Sequence, residues 1–389
     1  MNIESIWKKI KLGDIVTFQR GFDITKKEQN PGPIDVISSS GFNSKHDEYK
    51  VKGPGVVIGR KGSIGTVFYT DKNFWPHDTT LWVKDFKGNS PKFVYYFLKT
   101  LNLERYDVGA SNPTLNRNHI HKIDVKWPKL EFQKHIVKIL SAFDDLIENN
   151  TRRIEILEEM ARLIYREWFV HFRFPGHEDV QMVDSELGKI PEGWEVKPVD
   201  EAFDAIGGGT PKTKVLEYWE GGNLNWYTPS DLTSNGRMFQ SGSERKITQK
   251  GLENSSAKMF PPYSVMMTSR ATLGVIAFNS TPASVNQGFI VCIPNEKVSG
   301  YQIYYWIEQN LEKMINAASG ATYKEITKTN FRKMKFPVLD ENLNNKFVKT
   351  VEPVFKQIEN LENKSKILKE IRDLLLPKLI SGDIGVGNK

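Results

Sequence analysis

Two short segments of the chain combine cations with small hydroxyl residues in a pattern that suits contact with a nucleic acid. The sequence reads VVIGRKGSIG at 56–65 and VMMTSRATLG at 265–274. Each is an apolar strand followed by a cation, a small hydroxyl residue, a branched apolar residue and a glycine. Because these polar types contact phosphates and base edges, the segments predict two matching binding turns. A surface turn with solvated cations is the alternative. The polar members are Arg60, Lys61, Ser63, Arg270 and Thr272.

A second pair of loops, rich in small and polar residues, lies at matching places further along the chain. They read GASNPTLNRNH at 109–119 and SGATYKEITKT at 319–329. Both contain basic side chains and residues that can donate to or accept from bases, so they receive the same two interpretations. Candidate contacts in these loops are Asn112, Asn116, Arg117, Tyr323 and Lys324.

The sequence offers no set of residues with the spacing that catalysis requires. It lacks the G-x-x-x-x-G-K-[ST] phosphate loop. FPPY at 260–263 resembles the amino-methyltransferase motif, but Phe260 has no side-chain acceptor for the target amino group. His119 and His121 could place two imidazoles on one face of a strand, but no third ligand is near in sequence. We therefore expect no catalytic residue and no bound metal.

Composition limits the remaining classes. The 389 residues include 54 Lys and Arg against 47 Asp and Glu, a net charge of +7, which permits a polyanionic partner without requiring one. Cys292 is the only cysteine, so an intrachain disulfide and a thiolate metal cluster are excluded. The N-terminus lacks the apolar core of a signal peptide, and no apolar run is long enough for a membrane helix. We expect a soluble, cytoplasmic protein.

The chain repeats itself once. Trp7 aligns with Trp194 at an offset of 187, the two turns align at 209, and Pro128 aligns with Pro337 at 209 before a following helical pattern at 211. The second copy therefore carries about 22 extra residues before its turn. We predict an α/β (α+β) protein with two similar heads. The predicted segments are a first head at 1–130, a first helix at 131–172, a linker at 173–193, a second head at 194–338, a second helix at 339–382 and a tail at 383–389.

Each helical segment has apolar residues at alternating steps of four and three, the seam of a coiled coil. Two matched helices in one chain can bury both seams by packing as an antiparallel pair. Asn150, Ser365 and Arg372 are polar breaks, and Pro353 should kink the second helix or mark its start. The first seam is Ile136, Leu140, Phe143, Ile147, Asn150, Ile154, Leu157, Ala161, Ile164 and Trp168; the second is Phe347, Val351, Val354, Ile358, Leu361, Ser365, Leu368, Arg372, Leu375 and Leu379.

Further apolar residues lie off the seams. They predict either partner subunits packed on the helices or packing against the chain's own heads. These residues are Ile139, Leu146, Ile156, Leu163, Ile367, Ile371 and Leu374.

Over essentially its whole length the chain resembles the specificity subunit of type I restriction–modification enzymes. The resemblance rests on VVIGRKGSIGTVFY, on ILSAFDDLIENNTRRIEILEEMARLIYREWFV, on SELGKIPEGWEV and on LLLPKLISGDI. It implies that each head is a target recognition domain reading one half of a split DNA site, with the heads related by a pseudo-twofold axis. It also implies helices that set the spacing and hold two methyltransferase subunits, and motor-nuclease subunits that complete the complex. S-adenosylmethionine, ATP and magnesium are then expected on those partners, and no cofactor on this chain.

The resemblance also suggests which positions read DNA. Two heads with different targets should share scaffold residues and differ in readout residues, which makes Gly65 and Gly274 scaffold. The resemblance implies the same for Asn286 and Gln287, because their NQG motif looks frequent across family members with different targets. The divergent parts are 20–51 and 210–245. Readout candidates there are Arg20, Lys26, Ser40, Asn43, Lys45, Thr210, Lys212, Lys214 and Arg237.

Three other functions fit the same residues. A non-enzymatic helical adaptor would use its heads to bind proteins. A recognition half of an enzyme that fuses methyltransferase and specificity domains would share the heads. A tandem RNA-binding protein would use the same basic and polar loops.

Overall fold

The computed structural model describes residues 7–106, 114–318 and 325–385. Its contacts divide the chain into two compact units, residues 1–148 with 366–389, and residues 149–365. Each unit holds one β-rich head together with part of each long helix, so the unit boundaries cut across both helices.

The first unit contains nine strands and the start of the first long helix, α4, in the residues described. Its elements are β1 (Trp7–Lys11), α1 (Leu12–Ile15), β2 (Thr17–Arg20), β3 (Ile34–Ser38), β4 (Gly41–His46), β5 (Gly55–Gly59), β6 (Val67–Thr70), β7 (Phe74–Pro76), β8 (Thr80–Asp85), α2 (Pro91–Thr100), α3 (Arg117–Ile120), β9 (Asp124–Pro128) and α4 (Leu130–Phe169).

The first head is built from two main sheets. One has the strand order β2-β8-β5-β6 and the other β4-β3-β7, while β1 pairs with β9. The interior strand β5 is buried along its whole length, as its unbroken apolar run predicts. Helix α2 begins at Pro91, and Ser90 caps it by accepting a hydrogen bond from the Phe93 amide. Its apolar face packs with β5, β8 and the start of α4 in one core.

The second unit contains the second head, a hairpin that precedes it, and most of the second long helix, α10. Its elements are β10 (Met182–Ser185), β11 (Gly188–Pro191), β12 (Glu195–Pro198), α5 (Val199–Ala202), β13 (Asp204–Gly207), β14 (Leu224–Tyr227), α6 (Pro229–Thr233), β15 (Phe239–Gln240), β16 (Lys246–Ile247), α7 (Gln249–Glu253), β17 (Val265–Thr268), β18 (Ile276–Asn279), β19 (Ala283–Val285), β20 (Phe289–Ile293), α8 (Gly300–Ala317), α9 (Lys328–Arg332), β21 (Lys335–Val338) and α10 (Glu341–Ser381).

The second head repeats the topology of the first. The order β13-β20-β17-β18 matches β2-β8-β5-β6, the order β16-β14-β19 matches β4-β3-β7, and β12 pairs with β21 as β1 does with β9. In both heads the middle strand of the smaller sheet runs parallel to one neighbour. The sequence repeat therefore corresponds to a repeated fold.

Most of the extra length of the second head lies in one insertion. Two residues, 39–40, connect β3 to β4, whereas residues 228–245 connect β14 to β16. This insertion forms α6 and strand β15, which extends the larger sheet by pairing with β18. Part of the divergent segment therefore has a structural role.

The two long helices pack together antiparallel, as contacts inside each unit show. In the first unit the start of α4, at Ile136 and Leu140, shares a core with the end of α10, at Leu376 and Leu379. In the second unit the end of α4 meets the start of α10, where Phe169 and Phe347 place their ring centroids 4.9 Å apart.

All predicted seam residues are buried or half-buried, including the polar Asn150 and Ser365. Helix α10 runs without interruption through Pro353. The prediction that Pro353 marks the helix start was wrong, because the helix already begins twelve residues earlier, at Glu341. The seam break Arg372 has a partner: its Nη1 lies 2.6 Å from Oδ1 of Asp144 on α4.

The off-seam apolar residues are exposed on both helices. Leu374 is 67% exposed, Ile156 and Ile367 are each 54% exposed, and Leu146 is 52% exposed. Packing against the chain's own heads does not cover these side chains. In the part of the chain that the structure describes, no helix is long and apolar enough to cross a membrane.

Candidate nucleic-acid interface

The two cation turns have the same backbone. In the first head the Gly65 amide donates to the Gly59 carbonyl (3.0 Å), and in the second the Gly274 amide donates to the Thr268 carbonyl (2.8 Å). Both glycines have positive φ, +78° and +89°. A side chain at either position would be strained, which supports the interpretation of these glycines as scaffold.

The predicted polar loop of each head is hydrogen-bonded to the turn at an equivalent place. The Leu115 amide donates to the Arg60 carbonyl (2.9 Å), and the Ile326 amide donates to the Ser269 carbonyl (3.1 Å). These bonds bring the predicted turn and the end of the predicted polar loop together in both heads.

A third segment, between β7 and β8 or between β19 and β20, joins the same turn. The Arg60 amide donates to the Thr79 carbonyl and the Ser269 amide to the Gly288 carbonyl, each at 2.8 Å. The segment reads His77-Asp78-Thr79 in the first head and Asn286-Gln287-Gly288 in the second. The two heads thus present different side chains from one backbone arrangement.

A glycine is required where the chain leaving β2 in the first head, or β13 in the second, passes this segment. A Cβ on Gly21 would lie 2.1 Å from the His77 carbonyl oxygen, and one on Gly208 would lie 2.2 Å from the Val285 carbonyl oxygen. These distances are far below van der Waals contact, so both positions exclude any side chain. The close approach places Arg20 and Thr210 beside the segment.

In the first head, Arg20 and the segment are held by ion pairs. Arg20 Nη2 lies 3.2 Å from Asp78 Oδ2 and 2.8 Å from Asp23 Oδ1. His77 accepts a hydrogen bond from the Thr79 amide at its Nδ1 (3.3 Å). A cavity of about 670 Å³ opens here, and its lining includes Lys26.

Other first-head candidates lie on β4 or directly before it. Asn43 also lines the cavity and donates to Ser38 Oγ (2.9 Å) and to Ser40 Oγ. Lys45 is paired with Asp35 at 2.7 Å.

The cations on and near the first turn differ in accessibility. Lys61 and Ser63 are exposed, whereas Arg60 is half-buried. The Arg60 Nη1 atom is buried and has no hydrogen-bond partner among the residues described. Asn116 caps α3 by accepting from the Asn118 amide (2.9 Å), and the neighbouring Arg117 is exposed.

In the second head a smaller cavity of about 230 Å³ lies at the equivalent place, lined by Arg270, Asn286 and Gln287 among others. Thr210 donates to Gln287 Oε1 (2.5 Å), and Arg270 Nε lies 3.8 Å from Glu325 Oε2. Asn286 accepts from the Gly288 amide (2.8 Å), a local bond that fits a scaffold role.

The remaining second-head candidates are more scattered. Lys212, Lys214 and Thr272 are exposed. Arg237 is half-buried in the insertion, near the carboxylate of Glu362, and does not line this cavity. Asn112, Tyr323 and Lys324 lie outside the described residues.

Sequence reasoning missed two features beside these candidates. One is Asp78, which pairs with Arg20 and whose importance depends on contacts 58 residues apart. The other is Arg245, whose guanidinium lies 3.8 Å from the Trp219 ring centroid and 5.4 Å from that of Trp226. Trp219 and Trp226 contact each other edge to face, and the pairing of β14 with β16 brings Arg245 beside them, so no local signal could have indicated this cluster.

His121 has a structural partner. Its Nε2 accepts a hydrogen bond from the Phe18 amide (3.0 Å), and its ring stacks on Phe18. Burial, together with nearby Lys87 and Arg117, lowers the pKa of His121. Within the described ranges no group of His, Cys, Asp or Glu has a metal-binding arrangement.

A family model for the type I restriction modification DNA specificity domain matches residues 4–159 and 191–370. The chain belongs to this family of specificity subunits. As a member it is the DNA specificity subunit of a type I restriction–modification system and is itself non-catalytic.

Several curated specificity subunits are similar to this one. The MjaIX subunit of Methanocaldococcus jannaschii is 31% identical over 52% of this chain, and the match spans 46% of the relative. The HindI subunit of Haemophilus influenzae is 22% identical over 98% of this chain and 100% of the relative. The solved S subunit from M. genitalium covers 96% of both chains at 19% identity with a TM-score of 0.63, which supports the fold of this specificity subunit.

Proposed function

We propose that each head of this specificity subunit reads one half of a bipartite duplex site. The observation that carries the proposal is the pair of equivalent turns: one hydrogen-bonded backbone presents His77-Asp78-Thr79 in one head and Asn286-Gln287-Gly288 in the other. A shared backbone with unlike side chains suits two readers of one fold that recognise different bases.

Phosphate and base contacts are assigned to different residues. The exposed Lys61 and Arg117 suit phosphates, since they project from a turn and from the start of α3. Arg270 lines the second-head cavity beside Glu325 and suits either a phosphate or a base edge. Residues that line the two cavities, or that contact their lining, suit base edges because neighbours hold their side chains in fixed orientations. Asn43 and Gln287 line the cavities, while Arg20 pairs with the lining residue Asp78 and Thr210 donates to Gln287.

Gln287 was assigned to the scaffold by the sequence, and the geometry favours a different role. Its side chain is exposed and its Oε1 accepts from Thr210, whereas Asn286 is engaged with backbone. We therefore propose Asn286 as scaffold and Gln287 as a readout residue.

The helices serve, in this proposal, as spacer and docking surface. Helix α4 has 40 residues, about 60 Å at 1.5 Å per residue. The exposed Leu146, Ile156, Ile367 and Leu374 form apolar surface that isolated helices seldom leave in water. Two methyltransferase subunits are the proposed occupants, and motor-nuclease subunits are proposed to complete the complex.

The cofactors are assigned to those partners. S-adenosylmethionine, ATP and magnesium are proposed to bind on the catalytic subunits, as the family resemblance implies, and the complex is proposed to act in the cytoplasm. This chain contributes recognition of the site and the geometry of assembly.

The first test separates a DNA reader from a protein-binding adaptor or an RNA-binding protein. The assembled methyltransferase complex is titrated with duplex DNA containing its site, with RNA of the same sequence and with scrambled duplex, at several salt concentrations. The proposal predicts tight binding to the cognate duplex alone, weakening steeply as salt rises. Equal binding to RNA, or no nucleic-acid binding at low salt, would overturn it.

A further inference from the structure

The second unit contains an open aromatic pocket away from the candidate nucleic-acid interface. It has a volume of about 390 Å³, within the range of small-ligand sites. Its walls come from β15 of the insertion, from β18, from the start of α8 and from α10. The proposed readout residues are not part of its lining.

Aromatic rings form the floor of this pocket. Phe239, Phe278 and Phe355 are almost completely buried, while Tyr301 and Tyr263 stand nearer the opening. The Tyr301 and Phe355 ring centroids are 4.4 Å apart. Aromatic faces attract cations through their quadrupole, so a floor of this kind suits a ligand that carries positive charge on an apolar stem.

Charged residues of α10 form the rim. Lys356 is engaged by Glu352, with Nζ 2.9 Å from Oε1. Glu359 accepts from Ser280 Oγ (2.5 Å) and pairs with no lysine or arginine among the described residues. Two carboxylates against one lysine give the rim a net negative charge. Burial, Glu352 and Glu359 all raise the pKa of Tyr301.

The first unit has equivalent β6, α2 and α4 walls at this place, without the β15 wall of the insertion, and there a lysine of the chain itself lies against the aromatic ring. By the sequence offsets of 209 and 211, Lys92 corresponds to Tyr301, Tyr69 to Phe278, and Asp145 to Lys356. Lys92 Nζ lies 5.9 Å from the Tyr69 ring centroid and 3.9 Å from Asp145 Oδ1. In the first unit an alkylammonium therefore rests between an aromatic ring and a helix carboxylate.

We propose that the pocket of the second unit binds a lysine side chain supplied by a protein partner that packs on α10. The aromatic floor takes the alkyl stem, and the carboxylate of Glu359 pairs with the ammonium. Charge complementarity and the internal lysine of the first unit identify the occupant. The inference rests on the proposed docking role of the helices, but the pocket's ligand chemistry can be tested without DNA or partners.

In the test, n-butylammonium is titrated against the full-length chain, and its binding is measured by ligand-observed NMR. We expect saturable binding that 1-butanol, a neutral molecule of similar size, does not reproduce. Glu359→Gln should weaken binding at least about fivefold because it removes the unpaired charge. Tyr301→Lys should have a similar or larger effect, since it installs the lysine found at the equivalent position of the first unit.

Glu148→Gln is the matched control, because Glu148 is the counterpart of Glu359 on α4 and is exposed. It should leave probe binding unchanged. Absence of saturable binding, or equal binding by the Glu359→Gln protein, would overturn the proposal. Spermidine binding at least about tenfold tighter than both n-butylammonium and Nα-acetyl-lysine methylamide would instead identify a free polyamine as the ligand and also overturn it. Cognate DNA binding by each variant complex is an independent readout of the proposed function.

Discussion

At the scale of single residues, the two heads use equivalent positions for different side chains. Arg60 of the first turn corresponds to Ser269 of the second, and Asp78 corresponds to Gln287. Backbone hydrogen bonds hold these positions alike, so their side chains can change without refolding the turn. Specificity can therefore vary between heads while the scaffold remains.

Arg270 offers a direct test of the turn. Replacing it with alanine should reduce DNA affinity by about 1–3 kcal/mol if it contacts a base, or lower the salt slope by about 1 if it contacts a phosphate. Lys297→Ala is the control, because Lys297 follows β20 at the end of the sheet opposite the turn. Fluorescence anisotropy at several salt concentrations measures both quantities, and equal affinity of the two variants would contradict the assignment.

Glu362 predicts a pH dependence of stability in the second unit. The carboxylate accepts from the amides of Met238 (2.8 Å) and Phe239 (3.0 Å), and burial raises its pKa from 4.5 to about 7. Between these two pH values the folded state holds a proton on Glu362 that the unfolded chain releases. The contribution of Glu362 to the free energy of unfolding is therefore full below pH 4.5 and is lost as pH rises to about 7.

Glu362→Gln should remove that dependence. The difference in unfolding free energy between wild type and variant should change by about 1–3 kcal/mol between pH 4.5 and 7.5, measured by urea denaturation. Amide exchange at Met238 and Phe239 reports the same change locally. Glu312→Gln, at an exposed position of α8, serves as control. A pH-independent difference for Glu362→Gln would show that the carboxylate is already ionised in the folded state.

At the scale of elements, the antiparallel register of the long helices is fixed in part by a polar cluster. Asp144 of α4 lies 2.6 Å from Arg372 of α10 and also accepts from the Tyr96 hydroxyl of α2 (2.5 Å). Both charged side chains are largely buried, and removal of Arg372 leaves Asp144 without its counter-ion, whereas Arg372 keeps Asp373 at 2.8 Å when Asp144 is removed.

A double-mutant cycle on Asp144→Asn and Arg372→Met tests this cluster. We expect each single change to cost about 1–3 kcal/mol and the pair to show a coupling of about 1–2 kcal/mol. The exposed pair Glu352–Lys356 is the control, with an expected coupling below about 0.5 kcal/mol. Denaturant titration gives the values, and a coupling no larger than that of the control pair would contradict a role in register.

Regular patterns in the sequence predicted these elements well. The heptad steps from Ile136 to Trp168 predicted α4 because one helix face repeats at fixed spacing, and the paired turns predicted two heads of one fold. Contacts distant in sequence were not predictable. The partner of Arg372, the Arg245 stack on Trp219 and the role of the insertion in carrying β15 all depend on tertiary pairing. Pro353 did not mark the start of α10, because packing of this helix outweighs the local cost of a proline within it.

At the scale of the whole molecule, we propose that the paired helices set the gap between the two half-sites. One heptad inserted between Glu148 and Asn149 and one between Ser365 and Lys366 would lengthen both helices by about 10 Å while keeping their seams in register. Since one base pair adds about 3.4 Å, the gap between half-sites should grow by about three base pairs.

Genome-wide mapping of methylated adenines in cells that carry the complex tests this claim most directly. For the wild-type chain we expect a motif of two specified halves separated by a fixed run of unspecified bases. For the lengthened chain we expect the same two halves with the wider gap. A single continuous motif, or an unchanged gap in active lengthened complexes, would contradict it.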